Sequence, residues 1–460
     1  MEKSPLNRSE IIEKLRFPDT DVRRQTIEMF FNEEPDEEIL SILCSFLNDE
    51  NTGVRDAVSN VLTINNNEKI PGLLVPLVSS PDISVRNLAG ELLLRKGEAS
   101  IEPLTKYLAT NENLDDQKFI IDILGLIGIS GPEPEIIKVL RNSNNDNVIL
   151  SCIEALGNLK STQSYDVLVE YYDKLDLYKP TIVEALGKLD NPAILDFIFD
   201  KYANEEELTK FAMLECLGKQ GNDDSFFFLL SELKYYEPPL SWEAIRSLKL
   251  LKDKLELDIP FDESTKNSIL NALQEGDVYY KKPAVSLLRS FVDREVFKTY
   301  LAVFGGDFTI DDEIKNNIYP HFELFVRQLI DYLDGSPGNL RAVIELTREM
   351  FEMSSPSEQN DSLAIESHKL CEKLTGHLTH PDEEVRRIVM ELLFHLNPET
   401  ALIFSDTMMA DQNVWNRMRL VDLLEELNSE KAVPVLELLA NDEDEMIKER
   451  ALQVLSGTNN

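Results

Sequence analysis

The sequence predicts an all-α solenoid, a row of about fourteen helix pairs in which each pair buries its apolar side against the next. Three observations lead there. First, one pattern recurs: an Asp or Asn, an apolar anchor three positions later, and a basic residue directly after it. Second, the anchors Val22, Val54, Val85, Asp116, Val148, Tyr178, Thr209, Trp242, Tyr280, Ile314, Val385, Asn416 and Ile447 mostly stand 30–33 residues apart, a period typical of stacked repeats. Third, the position eight past the anchor is Leu in eleven repeats (Leu62, Leu93, Leu124, Leu156, Leu186, Leu217, Leu250, Leu288, Leu393, Leu424 and Leu455) and Phe30 or Phe322 in two. With apolar residues also at +4, +5 and +7, this is one stripe of a 3.6-residue helix.

The elements follow in order. Residues 1–17 supply one helix, Ser9 to Arg16, whose Ile11, Ile12 and Leu15 face inward. Asp19, Asn51, Asp82, Asn113, Asn145, Asp277, Asp311, Asp382, Asn413 and Asp444 lie three before their anchors, where a side-chain oxygen satisfies the free amides of a starting helix. Pro18, Pro81 and Pro381 precede three of these caps and stop the previous helix from running on. Between the capped helices, second helices are predicted, such as Glu38 to Leu47 and Ile101 to Leu108. Regular repeats thus fill residues 1–252.

Within that stretch Gly125, Gly157, Gly187 and Gly218 stand nine past their anchors, which predicts left-handed helix endings. Large aromatics between Tyr165 and Phe228 are expected to fill the core. From 253 to 380 the pattern degenerates: Asp253 to Glu263 lengthens one step, Gly305-Gly306-Asp307 interrupts another, and no anchor can be placed between Leu324 and His380. The polar stretch Ser354 to Asn360 is expected to be a hinge or cleavage site. Regular repeats resume over 381–460, closing one continuous solenoid.

The Asp-x-x-Val-Arg openings at Asp19 to Arg23, Asp82 to Arg86 and Asp382 to Arg386, with the Ala-Leu-Gly closings at Ala155 to Gly157 and Ala185 to Gly187, resemble the HEAT repeat. The short bacterial form, of the phycobilin-lyase type, is the nearest in length. The resemblance implies antiparallel helix pairs in a right-handed superhelix with the capped helices lining the concave side. It also implies a role for Arg23, Arg55, Arg86, Arg386 and Arg417, which follow their anchors. A charge in the middle of an apolar stripe is costly unless paired. Pairing with the cap residues Asp19, Asp82 and Asp382, in the same or a neighbouring repeat, would make a structural ladder.

Composition narrows the function. Lys plus Arg number 46 and Asp plus Glu 84, a formal charge of −38, which opposes binding to nucleic acid or an anionic membrane and favours basic protein surfaces. Cys44, Cys152, Cys216 and Cys371 lie far apart within apolar helical patterns, so buried thiols are expected rather than a disulfide framework. No signal-peptide pattern opens the chain, and the apolar run near Ile120 to Ile129 is too short to span a bilayer, so a cytoplasmic location is expected. His377 and His380 form a His-x-x-His without acidic or Cys ligands at set positions, a weak metal signal. Catalytic and nucleotide-binding fingerprints are missing, so neither catalysis nor a cofactor is expected.

A second row of charge appears six past the anchor: Glu28, Glu91, Asp122, Glu154, Glu184, Glu215, Glu391 and Asp422. At 240° on the wheel this position faces away from the core. Arg24, Lys118 and Arg387 lie four before three of these acids, the spacing of ordinary helix ion pairs. Beside Glu154, Glu184 and Glu215, however, stand Leu150, Pro180 and Phe211. This predicts a groove over Glu91 to Glu215 for a basic or amphipathic segment; alternatively, Lys188 and Lys219 satisfy two acids and the face is only solvated. The function expected is a non-enzymatic protein-interaction scaffold or adaptor, of the kind used in signalling. The other candidate is a bilin-lyase-like or chaperone-like protein that cradles a cofactor or client. Oligomeric state is not set by the sequence.

Overall fold

Asn51, Asp82, Asn113 and Asn145 each accept a backbone amide of the helix that follows them, and so begin the elements of which this protein is made. A computed structural model describes residues 7–260, 262–333, 338–353 and 361–458, and every element in them is a helix. The stretch Ser354 to Asn360 lies outside the described residues, as does Phe261 within the Asp253 to Glu263 step. The chain divides into two compact units, Met1–Ser225 and Phe226–Asn460.

In the N-terminal unit the helices of the capped row are α1 (Thr20–Glu28), α2 (Thr52–Ile64), α3 (Ile83–Lys96), α4 (Leu114–Ile127), α5 (Asp146–Asn158), α6 (Lys179–Gly187) and α7 (Glu207–Gln220), of which α6 and α7 begin without a side-chain cap. Each packs on the next, forming one row. A second row is made by the return helices, among them Glu37–Ser45, Ile101–Leu108, Glu133–Asn142 and Ser164–Tyr172. The core runs between the rows: Leu62, Leu93, Leu124, Leu156, Leu186 and Leu217 are all buried. Tyr172 and Phe197 of the second row meet edge to face, centroids 4.9 Å apart.

The glycines nine past the anchors, Gly125, Gly157, Gly187 and Gly218, are not left-handed helix endings. Gly125 and Gly157 lie inside α4 and α5, and Gly187 is the last residue of α6. The left-handed residues come three later, at Gly128, Lys160 and Asp190. What requires glycine is approach: a Cβ on Gly125 would stand 2.8 Å from the Ala155 Cα, and one on Gly187 would stand 3.0 Å from the Cys216 Sγ. Since +9 meets +7 of the next repeat each time, α4 to α7 run parallel and in register.

The C-terminal unit repeats the plan with α8 (Leu240–Leu255), α9 (Val278–Leu288), α10 (Phe308–Ile318), α11 (Leu340–Met353), α12 (Glu383–Leu396), α13 (Val414–Leu427) and α14 (Glu445–Thr458). Three expectations about register are corrected here. In α8, Leu250 is exposed while Ala244, Ile245 and Leu248 are buried, so the anchor is Leu240 rather than Trp242. The cap of α10 is Asp307, which accepts from Thr309 and Ile310. Asp311 lies inside that helix and accepts the Gly305 amide at 2.9 Å, so the anchor is Ile310 rather than Ile314. Finally, α11, whose helical pattern over Leu340 to Met353 is legible in the sequence but without an anchor, belongs to the capped row; it packs on α12, and Asn339 precedes it, donating to the carbonyls of Leu301 and Phe304.

Candidate partner-binding surface

The arginines that follow the anchors form a ladder, but its acids are not the cap residues. Asp19, Asp82 and Asp382 spend their carboxylates on the amides of their own helices. Arg417 instead donates from Nε and Nη2 to both carboxylate oxygens of Asp442, at 3.0 and 3.1 Å. Arg386 does the same to Asp411, at 2.8 and 2.7 Å, and Arg23 Nη2 reaches Asp49 at 3.1 Å. Each acid sits two residues before the next repeat's cap and also accepts that cap residue's amide, at 2.8 Å in all three cases.

Behind these pairs lies a constant contact. Arg23, Arg55, Arg86, Arg386 and Arg417 each donate to the carbonyl two before their own cap, that of Phe17, Asp49, Ser80, His380 or Asp411. Gln117 makes the same bond to Asn111, at 2.7 Å. Arg55 and Arg86 lack the forward acid because Ser80 and Asn111 occupy its place. Bidentate geometry and burial make the full joints strong: the side chains of Arg417 and Asp442 are 5% and 9% exposed. Burial pushes the Asp411 and Asp442 carboxyls up, but the arginine bonds and cap amides outweigh it and hold both below the ordinary Asp value.

The acids six past the anchors fall into two classes. In the N-terminal unit they pair within their own helix: Glu28 with Arg24 (3.6 Å), Glu91 with Arg95 (2.6 Å), Asp122 with Lys118 (2.6 Å), Glu184 with Lys188 (2.9 Å) and Glu215 with Lys219 (2.8 Å). Glu154 is exposed and makes no ion pair with any described residue. Leu150, Pro180 and Phe211, one turn before Glu154, Glu184 and Glu215, are half-buried.

In the C-terminal unit the same positions are bridged between repeats. Glu391 accepts from Arg348 of α11 at 3.0 Å and from Arg419 of α13 at 2.8 Å. Arg450 reaches back to Asp422 at 3.0 Å. Arg387, expected to serve Glu391, pairs with Glu384 instead. A cleft of about 390 Å³ opens over Arg348, Glu391 and Arg419. Neither the bridging arginines nor Asp49, Asp411 and Asp442 were picked out from the sequence. The last three carried a legible signal, an Asp two before an Asn or Asp cap, as in Asp49-Glu50-Asn51 and Asp411-Gln412-Asn413.

Other polar groups complete the helix packing. In the second row Lys266 is buried among Glu263, Asp293 and Glu295 at 2.8–3.1 Å, and the bonds to these carboxylates raise its pKa against the opposing effect of burial. His380 Nδ1 accepts the Asp382 amide at 3.1 Å, a helix-start contact. All four cysteines are buried and free; desolvation pushes Cys44, Cys152 and Cys216 up to about 12 and Cys371 to about 11. Among the described residues no helix is long and apolar enough to cross a membrane.

No family model matches the chain. A stretch of 152 residues is 33% identical to the Lon protease of Orientia tsutsugamushi (strain Ikeda), covering 32% of this chain and 18% of that protein. Among solved structures the chain is similar to Kap121p bound to RanGTP, with a TM-score of 0.50 and 13% identity over 97% of this chain and 56% of that one. Kap121p alone gives a TM-score of 0.49 at 12% identity over the same shares. The chain therefore spans about half the length of the karyopherin it matches and under a fifth of the protease. At this identity the likeness establishes the fold: an α-solenoid of HEAT-like repeats.

Proposed function

We propose that the chain is a non-enzymatic protein-interaction scaffold, acting in the cytoplasm, whose N-terminal unit offers an acidic, partly apolar face to a basic or amphipathic segment of another protein. The observation that carries this reading is Glu154. It is an exposed carboxylate without an intramolecular cation, in a row whose other members have one, beside the half-exposed Leu150, Pro180 and Phe211. A lysine or arginine from a partner would supply the missing charge, and the apolar neighbours would bury its stem. The similar solenoid Kap121p holds RanGTP in the structure matched above, which supports a binding rather than a catalytic use of the fold.

The test is to reverse Glu154, Glu184 and Glu215 to Lys together. Crosslinking of the wild type first identifies partners, and affinity for each is then compared between the two proteins. A loss of at least tenfold, steeper at low salt, supports the reading; equal affinity refutes it.

A further inference from the structure

The helices of the capped row show a second feature, at their first turns. A large, apolar, exposed residue precedes the anchor in two pairs of neighbouring repeats of the N-terminal unit: Ile83 and Leu114, two before, and Leu177 and Leu208, one before, whereas α5 between the pairs carries Asp146 and Asn147. Leu177 is 81% and Leu208 70% exposed. Scattered single apolar residues on a surface need no explanation, but within each pair the two residues stand at the same offset on neighbouring helices. Leu177 and Leu208 therefore stand side by side on the edge where the parallel helices α6 and α7 begin. In the C-terminal unit Phe308, two before its anchor, and Trp415, one before its own, are 77% and 67% exposed.

The same edge is acidic. The connections that lead into α3 to α7 bring Asp82, Asp115, Asp146, Asp176, Glu206 and Glu207 to the surface. Lys174 is the one exposed cation in those connections, and it is bound to Glu170 at 2.5 Å. Lys179, at the start of α6, lies between Asp176 and Glu205 at 3.1 and 3.2 Å. Capping and the helix dipole account for acids at these turns. Neither accounts for leucines held out into water beside them.

We infer that this edge is a second docking surface, separate from the row six past the anchors, for a basic amphipathic helix of another protein. Charge selects the occupant. A second copy of a chain carrying −38 would bring acid against acid, and an anionic bilayer would be repelled in the same way. Spacing selects its form. Packed helix axes lie about 8–10 Å apart, and seven residues of a partner helix advance roughly 10.5 Å. Leucines about seven residues apart, with Lys or Arg between them, would therefore meet the neighbouring repeats of Leu177 and Leu208.

The test uses the full chain and a fluorescent synthetic helical peptide with Leu at every seventh position and Lys at the flanking ones. Controls are the same peptide with Glu for Lys, and one of equal composition with the Leu positions scrambled. Expected is saturable binding to the wild type, weakened at least tenfold in either control and in the Leu177→Ser/Leu208→Ser double variant, whose melting is unchanged because both side chains are exposed. The Glu154, Glu184 and Glu215 triple reversal should bind the peptide as the wild type does. Equal binding by the double Ser variant, binding lost only in the triple reversal, no binding of the peptide at all, or self-association of the chain abolished by Leu177→Ser/Leu208→Ser would each overturn the inference.

Discussion

A Cβ placed on Gly157 would stand 2.7 Å from the Cα of Ala185 and 2.9 Å from its Cβ. The obstacle is the backbone of α6, which cannot swing aside as a long side chain would. Gly157→Ala therefore sets two effects against each other: a gain of about 1 kcal/mol in helix propensity and a loss of about 1–3 kcal/mol from overpacking. The clash wins, and the variant is expected to unfold at lower urea concentration than the wild type. Gly72→Ala, where nothing lies within 4 Å of the added methyl, is the control and should be neutral or slightly stabilising.

Arg417→Ala should destabilise the C-terminal unit by about 3 kcal/mol, because it strands the buried Asp442 carboxylate without its cation. Arg55→Ala removes a guanidinium that has no forward acid and bonds only the Asp49 carbonyl and Thr52. Its cost should be about 1 kcal/mol, that of a typical hydrogen bond. Urea midpoints of the two variants decide; equal losses would mean that the Asp442 pair adds nothing.

The ladder also sets a pH dependence. The carboxyls of Asp411 and Asp442 are depressed in the folded protein relative to an ordinary Asp of about 3.9. Their contribution is thus complete above about pH 4 and is lost as the pH falls through the lower folded values. The melting temperature of Asp442→Asn should lie below that of the wild type at pH 6, with the gap closing as the pH drops below 4. A gap that stays constant down to pH 2 would refute the assignment.

The thiols give a simpler prediction. With all four cysteines buried and their pKa values pushed to about 11–12, thiolate is scarce at neutral pH. Native protein should react with a thiol reagent only over hours at pH 8, and all four should react within minutes in denaturant. Rapid labelling of Cys371 alone would show local opening of the helix Asp361–Thr375.

How much of this could be read from the sequence depended on how local the determinant was. A cap acts on amides two or three residues away, so Asn51, Asp82 and Asn413 announced their helices correctly. The ladder was half legible: a charge in an apolar stripe demands a partner, but the partner lies a full repeat away, and cap aspartates looked available until their amide bonds were seen. Registers failed where one helix offers two phases. In α10, Asp307 and Asp311 both suit a cap, and Ile310 and Ile314 both suit an anchor; packing decides between them. The helix α11 was legible over Leu340 to Met353, but its place in the repeat register escaped because Ala342 stands where an anchor was sought. The glycines were misassigned because close approach between helices leaves no trace in either helix alone. On the surface, the acids six past the anchors were visible as a row, whereas the isolation of Glu154 depends on which cations reach which neighbours.

Asp411 serves four clients at once: its carboxylate holds Arg386 of the preceding repeat, the amide of the next cap and the Asn416 side chain, and its carbonyl receives Arg417. Asp442 offers the same carboxylate to Arg417 and to its own cap. Two such joints in succession are interchangeable couplings. If the segment from Gln412 to Asp442 were excised, Asp411 would be followed by Glu443 and Asp444, and Arg386 would keep its acid while Asp444 resumed the cap. A protein jointed in this way can be lengthened or shortened by whole bricks without any new fitting having to be invented at the seam.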